Sequence, residues 1–159
     1  MATTMQVSPR TAVIPAHAVW GGAAGLVGGI GFGIWMSVSK PMMNTPMIKM
    51  VAGLLGSDNA VAGWFIHLAI SLTAGLAFGV LFGHLAQKMV PGAVLGLVYG
   101  VVWWVLGAMW IMPANLHMPV FDWNPVTRSS LGGHLVFGLL LGLAYSCIAT
   151  VMGKREQKG

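Results

Sequence analysis

The chain has 159 residues, of which 57% are hydrophobic and only 7% charged, and its net charge is +5. Soluble domains carry about 25% charged residues, so this composition predicts a multi-span membrane protein. All eight Lys and Arg residues fall outside the long apolar stretches. The positive charge therefore belongs to loops and tails, and a nucleic-acid-binding protein, which needs a basic face interleaved with aromatics, is excluded.

The first predicted elements are a tail and one membrane span. Residues 1–16 are polar and lack apolar periodicity, so we expect an irregular cytoplasmic tail. Residues 18–39 are apolar and uncharged. A helix of this length can cross a bilayer about 30 Å thick. Lys40 and Pro41 end this span. Residues 42–56 are too short to cross, and we expect a helix that lies on the membrane surface.

Three further spans follow along the chain. The second is expected at residues 60–86, and a short turn leads to the third at residues 91–112, which Pro113 should stop. The fourth is expected at residues 131–152, and residues 153–159 form a charged tail. The sequence thus predicts an all-α bundle of four transmembrane helices. Two tandem hairpins build it, with a short interfacial helix between the first two spans.

The orientation is predicted from the basic residues that flank the spans. One side carries Arg10, Lys88, Lys154, Arg155 and Lys158, and the other carries Lys40, Lys49 and Arg128. Because basic residues accumulate in cytoplasmic loops, both termini are expected to face the cytoplasm.

The second and fourth spans share a sequence pattern that indicates an internal repeat. Aligning His67 with His134 also matches Leu68 with Leu135, Gly75 with Gly142, Leu76 with Leu143, Ala77 with Ala144 and Phe78 with Tyr145. Repeats separated by two spans run in the same direction, so their axis should lie along the membrane normal. The two histidines are then expected at equal depth, near the outer face.

Small residues recur every four positions in each span, which places them on one helix face. These GxxxG-type stripes contain Gly21, Gly25, Gly29 and Gly33, then Gly75 and Gly79, then Gly96 and Gly100, and finally Gly138 and Gly142. In lipid such stripes let helix backbones approach closely. We therefore expect tight helix packing, and a homo-oligomer or an assembly with other membrane subunits within the lipid bilayer.

Several of these motifs together resemble a known family. They are Gly63-Trp64-Phe65-Ile66-His67, Pro91-Gly92 with Gly96 and Gly100, Met112-Pro113, and Gly133-His134-Leu135-Val136-Phe137-Gly138 with Gly142. The pattern resembles small four-helix bacterial membrane proteins known only as a domain of unknown function. The resemblance implies a four-helix fold in the bacterial inner membrane. It implies no activity and no catalytic residue.

His67 and His134 are the strongest candidates for a site, because polar side chains within a span usually face the bundle interior or a cavity. Two imidazoles across a twofold axis could ligate the iron of a haem b. They could instead hold copper or zinc, with Met112, Met118, Met42 and Met43 as soft ligands for Cu(I). A structural alternative is that each histidine bonds a backbone carbonyl and locks the helices together. A proton relay is a further alternative.

Three functions remain open from the sequence. No Asp, Glu, Lys or Arg lies within a span, which argues against an ion-coupled transporter, and no nucleophile has an adjacent base. We therefore expect no enzymatic activity. The favoured hypothesis is an accessory or scaffold subunit that packs through glycine-rich helix faces. The alternatives are a haem- or metal-binding protein that uses His67 and His134, and a small uncoupled channel or transporter.

Overall fold

The computed structural model describes residues 9–40 and 46–156, with side chains described for residues 16–40 and 46–153. All regular elements within these ranges are helical. They are α1 (Pro9–Val38), α2 (Met47–Gly53), α3 (Ala60–Phe82), α4 (Met89–Trp103), a π-helical segment (Trp104–Ile111), α5 (Met112–Asn115) and α6 (Pro125–Glu156).

Four stretches of the described chain are helical, long enough and apolar enough to cross a membrane. They are Ala16–Val38, Ala60–Phe82, Met89–Asn115 and Pro125–Gly153. The predicted fold class, an all-α protein with four membrane spans, is confirmed.

Several helix boundaries differ from those expected. Helix α3 ends at Phe82, before the expected residue 86. Helix α1 begins at Pro9, within the segment predicted as an irregular tail. Helix α6 begins at Pro125 rather than near residue 131, because Asn124 caps it. The Asn124 Oδ1 atom accepts hydrogen bonds from the backbone N–H groups of Val126 and Thr127, at 2.9 and 3.0 Å. Pro125 suits the first helical position, where no N–H donor is needed.

Pro113 widens the third span instead of ending it. Its ring excludes the carbonyl four residues earlier, and it has no N–H to donate to that carbonyl, which belongs to Met109. The chain adopts a π-helix from Trp104 to Ile111 and continues as α5 to Asn115. The Met109 carbonyl instead accepts a hydrogen bond from the Phe121 N–H at 2.7 Å. The loop after α5 thus supplies the donor that proline lacks.

The helices pack as two hairpins placed side by side. Helix α1 packs against α3, and α4 packs against α6, while α1 and α6 join the two hairpins. Helices α3 and α4 are consecutive but do not pack closely on each other in the described chain. A hydrogen bond of 2.8 Å from the Tyr99 hydroxyl to the Ala74 carbonyl connects them near mid-span.

Glycines permit the close approach within each hairpin. A Cβ atom added at Gly75 would lie only 2.7 Å from the Cα atom of Gly25, and one added at Gly21 would lie 2.8 Å from the Cα atom of Gly79. In the second hairpin, a Cβ atom added at Gly138 would lie 2.8 Å from the carbonyl carbon of Gly96. These backbones touch directly, which no larger residue would allow.

The bundle has two distinct ends. At the turn end, the connection between α3 and α4 is held by Ser146, whose hydroxyl lies 2.8 Å from the Ala86 carbonyl. At the α2 end, α2 lies against α3 and buries Met47, Ile48, Val51 and Ala52. This is the short helix expected between the first two spans. Residues 42–45, the start of that predicted segment, lie outside the described residues.

Candidate functional site

His67 lies on α3 and is 6% exposed. Its Nε2 atom lies 2.9 Å from the carbonyl oxygen of Gly29 on α1. A carbonyl can only accept a hydrogen bond, so Nε2 carries the proton. In the neutral ring the Nδ1 atom then carries a lone pair.

His134 lies on α6 and is held in the opposite tautomer. Its Nδ1 atom lies 2.9 Å from the Ser130 carbonyl oxygen, one turn earlier on the same helix, and therefore carries the proton. The Ser130 hydroxyl lies 3.2 Å from the same nitrogen. The lone pair is on Nε2, which faces the π-helical segment, since a Cβ atom added at Gly107 would lie 4.0 Å from it.

Both histidines line one cavity of about 520 Å³ at the α2 end. The Phe32 ring contacts both imidazoles, with centroid distances of 5.2 Å to His67 and 4.5 Å to His134. Within the described chain, neither His67 Nδ1 nor His134 Nε2 makes a hydrogen bond. The structure therefore brings the two predicted site residues together, and each has one nitrogen lone pair available in the cavity.

The rest of the cavity wall is mainly apolar. Five methionines line it, namely Met36, Met47, Met50, Met112 and Met118. Of the methionines considered as copper ligands, Met112 and Met118 are therefore at the site, whereas Met42 and Met43 lie outside the described residues. No charged side chain lines the cavity among the residues that the structure describes. Those residues also contain no cluster of three or more His, Cys, Asp or Glu side chains able to hold a metal ion.

Ser71 adds a third polar group to the cavity. It is 2% exposed, lies one turn after His67 on α3, and lines the cavity. Its hydroxyl makes no hydrogen bond with another residue in the described part of the chain. Because no buried side-chain nitrogen or oxygen atom in that part of the chain lacks a hydrogen-bond partner, the Ser71 oxygen is not sealed from the cavity. It can therefore contact a bound molecule.

The π-helical segment forms the wall opposite α3. It contributes the small residues Gly107 and Ala108, together with Ile111. π-Helical turns are uncommon and occur frequently at functional sites. The sequence patterns predict neither this segment nor Phe32 as part of a site. Pro113 is the available signal for the segment, and the position of Phe32 one turn from Gly29 is the signal for Phe32.

A second, smaller cavity of about 250 Å³ lies at the turn end and is lined by His17 and His84. Their ring centroids are 4.6 Å apart, and His17 Nδ1 is hydrogen-bonded to the Tyr145 hydroxyl. His17 is buried, whereas His84 is exposed. This histidine pair therefore lies near the opposite end of the bundle from His67 and His134.

The fold and the cavity together define a class, the polytopic α-helical membrane proteins with a cavity inside the helix bundle. Comparison with known protein families, with curated proteins and with solved structures finds no match to this chain.

Proposed function

We propose that the protein is a non-catalytic membrane protein that binds a ligand in the cavity at the α2 end, through His67 and His134. The observation that carries the proposal is the paired arrangement of these rings. Each donates one N–H to a backbone carbonyl and presents the lone pair of its other nitrogen to the same cavity.

This arrangement is characteristic of binding sites. A ligating histidine usually donates its second ring nitrogen to a carbonyl or carboxylate, which fixes the tautomer and the ring orientation. A histidine with a purely structural role would make the same hydrogen bond to a backbone carbonyl. The structural role alone, however, does not explain why both rings line one cavity while the second nitrogen of each makes no hydrogen bond in the described chain.

The chemistry of the wall favours an uncharged ligand. A divalent ion such as Zn²⁺ would bring two positive charges into an apolar site with no carboxylate in its described lining, and desolvation would be costly. Copper(I) with Met112 and Met118 carries a smaller charge and matches soft ligands. A haem b held by both imidazoles is the remaining metal alternative. The experiment below would detect either copper or haem b.

The glycine-rich faces give less support to an accessory or scaffold role than the sequence did. In each hairpin they lie against one another within the chain, so internal packing accounts for them. A scaffold role stays a prediction without a specific supporting observation. The same applies to a small uncoupled channel or transporter, because the cavity lining is mainly apolar.

The membrane setting is part of the proposal. Residues flanking the spans place more Lys and Arg on the side of both termini, which supports a cytoplasmic location for them. The segments 25–29 and 96–100 are also similar, and aligning Gly25 with Gly96 as well as His67 with His134 makes the contacts Gly25–Ser71 and Gly96–Gly138 equivalent. This equivalence supports an internal duplication. We propose a bacterial inner-membrane location and membership of the four-helix family that the motifs resemble.

Isolation of the protein in mild detergent tests the proposal. Native mass spectrometry, an absorption spectrum and metal analysis should find a bound molecule or ion in the wild type. We expect it to be lost from His67→Ala and from His134→Ala, and retained in His84→Ala, a matched control at the other end of the bundle. A wild type that never carries a bound species, or both variants retaining it, would contradict the proposal.

A further inference from the structure

We infer that the ligand is a lipid-soluble amphiphile with a hydroxylated aromatic head, which enters sideways from the bilayer between α3 and the π-helical segment. The inference rests on the proposed ligand-binding function and names its chemical class and route. It is carried by the position of the cavity mouth, by the polar groups inside, and by the aromatic residues around them.

The mouth of the cavity opens on the side of the bundle. Ala69, Ile70 and Thr73 of α3 line the cavity and are exposed, and across the opening Ile111 of the π-helical segment is 49% exposed. These residues lie within two membrane spans, whose exposed surface faces acyl chains. A molecule dissolved in the bilayer can therefore reach the cavity without crossing water.

The mouth presents little polarity to that molecule. The Thr73 hydroxyl lies 3.0 Å from the Ala69 carbonyl oxygen and donates to it within α3. The opening exists because α3 and α4 do not pack closely, and below it the Tyr99–Ala74 hydrogen bond connects them. An apolar chain can therefore lie in the opening with no polar group left unsatisfied.

The polar groups inside select hydroxyl donors. The free nitrogens of His67 and His134 are hydrogen-bond acceptors in the tautomers that their carbonyl partners impose. A ligand that supplies two O–H groups would satisfy both. Ser71 can donate to, or accept from, one of those oxygens. A charged head would find no counter-charge in the described lining, so an uncharged head with hydroxyl groups is the best match.

The residues around these groups favour an aromatic head. Phe32 contacts both imidazoles, and Phe137 and Trp103 also line the cavity. Aromatic rings stabilise one another through edge and offset contacts at centroid separations of about 4.5–7 Å. The cavity volume of about 520 Å³ suits a small organic molecule. Met47 and Met50 supply flexible apolar contacts beyond the head.

Binding of 5-dodecylresorcinol and of its dimethyl ether to the protein in lipid nanodiscs tests the chemical class. The two molecules have the same ring and tail, but only the first has hydroxyl donors. We expect the resorcinol to bind at least about tenfold more tightly, because the ether leaves both imidazole nitrogens unpaired. His67→Ala and His134→Ala should each reduce that preference strongly, and His84→Ala should preserve it.

Stopped-flow association tests the route. Ala69→Trp should narrow the mouth and slow binding of the resorcinol about tenfold, a value of the order seen when access limits association. Ala23→Trp is the matched control, because Ala23 is exposed on α1 and does not line the cavity. Equal association rates in the two variants would overturn the lateral route.

The outcomes separate this inference from the function on which it rests. Equal affinity for the resorcinol and the ether overturns the hydroxylated head. If neither molecule binds but the isolated protein carries haem or copper that is lost from His67→Ala, the ligand class is wrong and the proposed site is retained. If neither binds and the isolated protein carries no species of any kind, the site itself is contradicted.

Discussion

The two hairpins of the bundle use the same contacts at one end and differ at the other. In the first, Gly21 lies against Gly75, and in the second Gly92 lies against Gly142. These pairs correspond to each other when His67 is aligned with His134 and Gly25 with Gly96. A repeated glycine pattern has thus produced two repeated backbone contacts, because only glycine allows helices to approach so closely.

The hairpins diverge at the α2 end. His67 donates its proton across the hairpin to α1, whereas His134 donates to its own helix. Helix α1 stays α-helical to Val38, whereas α4 widens into the π-helical segment from Trp104. Glycine spacing thus determines the packing of both hairpins, while Pro113 and the hydrogen-bond partners of the histidines create one asymmetric site.

The greatest loss of stability is expected when the shared glycine contact in either hairpin is broken. Gly75→Ala would place a methyl group 2.7 Å from the Gly25 Cα atom, and Gly142→Ala would place one 2.6 Å from the Gly92 carbonyl carbon. Backbone cannot yield as a side chain can, so each should lower the free energy of unfolding by about 3 kcal/mol. Thermal unfolding in detergent and denaturation by SDS measure the loss.

Gly153→Ala provides the control for both variants. It lies on α6, and an added Cβ atom would have no neighbour within 4 Å. Alanine favours a helix over glycine, so this variant should be as stable as the wild type or slightly more stable. Wild-type stability for Gly75→Ala alone would show that the two hairpins do not depend equally on their glycines.

The sequence predicted the packed part of the molecule better than the site. Hydrocarbon requires long uncharged helices, so the four spans follow from composition and from the positions of charges. The π-helical segment could not be predicted, because the partner of its Met109 carbonyl is a donor distant in sequence, the Phe121 N–H. Pro113 predicts that the regular α-helix is interrupted there, but not whether the helix ends or widens. The start of α6 depends likewise on the Asn124 side chain, in a segment that reads as a loop.

The two histidines are expected to contribute unequally to stability. His67→Ala removes a hydrogen bond between two helices, whereas His134→Ala removes one within a single helix. Interhelical hydrogen bonds in membranes contribute about 1 kcal/mol. We expect His67→Ala to be the less stable variant by about that amount, although both should lose the ligand. Unfolding measured without ligand would contradict this if His134→Ala were equally or more destabilised.

The helix caps are expected to show a smaller difference. Asn59 accepts one backbone hydrogen bond, from Val61 at 2.8 Å, whereas Asn124 accepts two, and the Thr127 hydroxyl also bonds at that cap. Replacing an asparagine cap by alanine costs about 1 kcal/mol. We therefore expect Asn124→Ala to lower the free energy of unfolding by more than about 1 kcal/mol, and Asn59→Ala to lower it by about that amount or less. Thermal unfolding of the two variants side by side would refute the ranking if Asn59→Ala were the less stable.

The smallest effect is expected in local protection rather than in global stability. Residues 33–38 of α1 correspond to part of the π-helical segment when Gly25 is aligned with Gly96, and both stretches approach the α2 end. The π-helical conformation of Trp104–Ile111 is uncommon in proteins, and Gly107, Ala108 and Ile111 of this segment border the cavity. Local opening requires fewer contacts to break where packing is loose, so these amides should exchange with deuterium faster than those of residues 33–38. Hydrogen exchange followed by mass spectrometry in nanodiscs measures this difference.

Addition of 5-dodecylresorcinol should narrow the difference in exchange rate, because a molecule in the cavity would stabilise its wall. Equal protection of the two stretches without ligand would mean that the π-helical segment is as rigid as its counterpart, and that the asymmetry between the hairpins is one of shape alone.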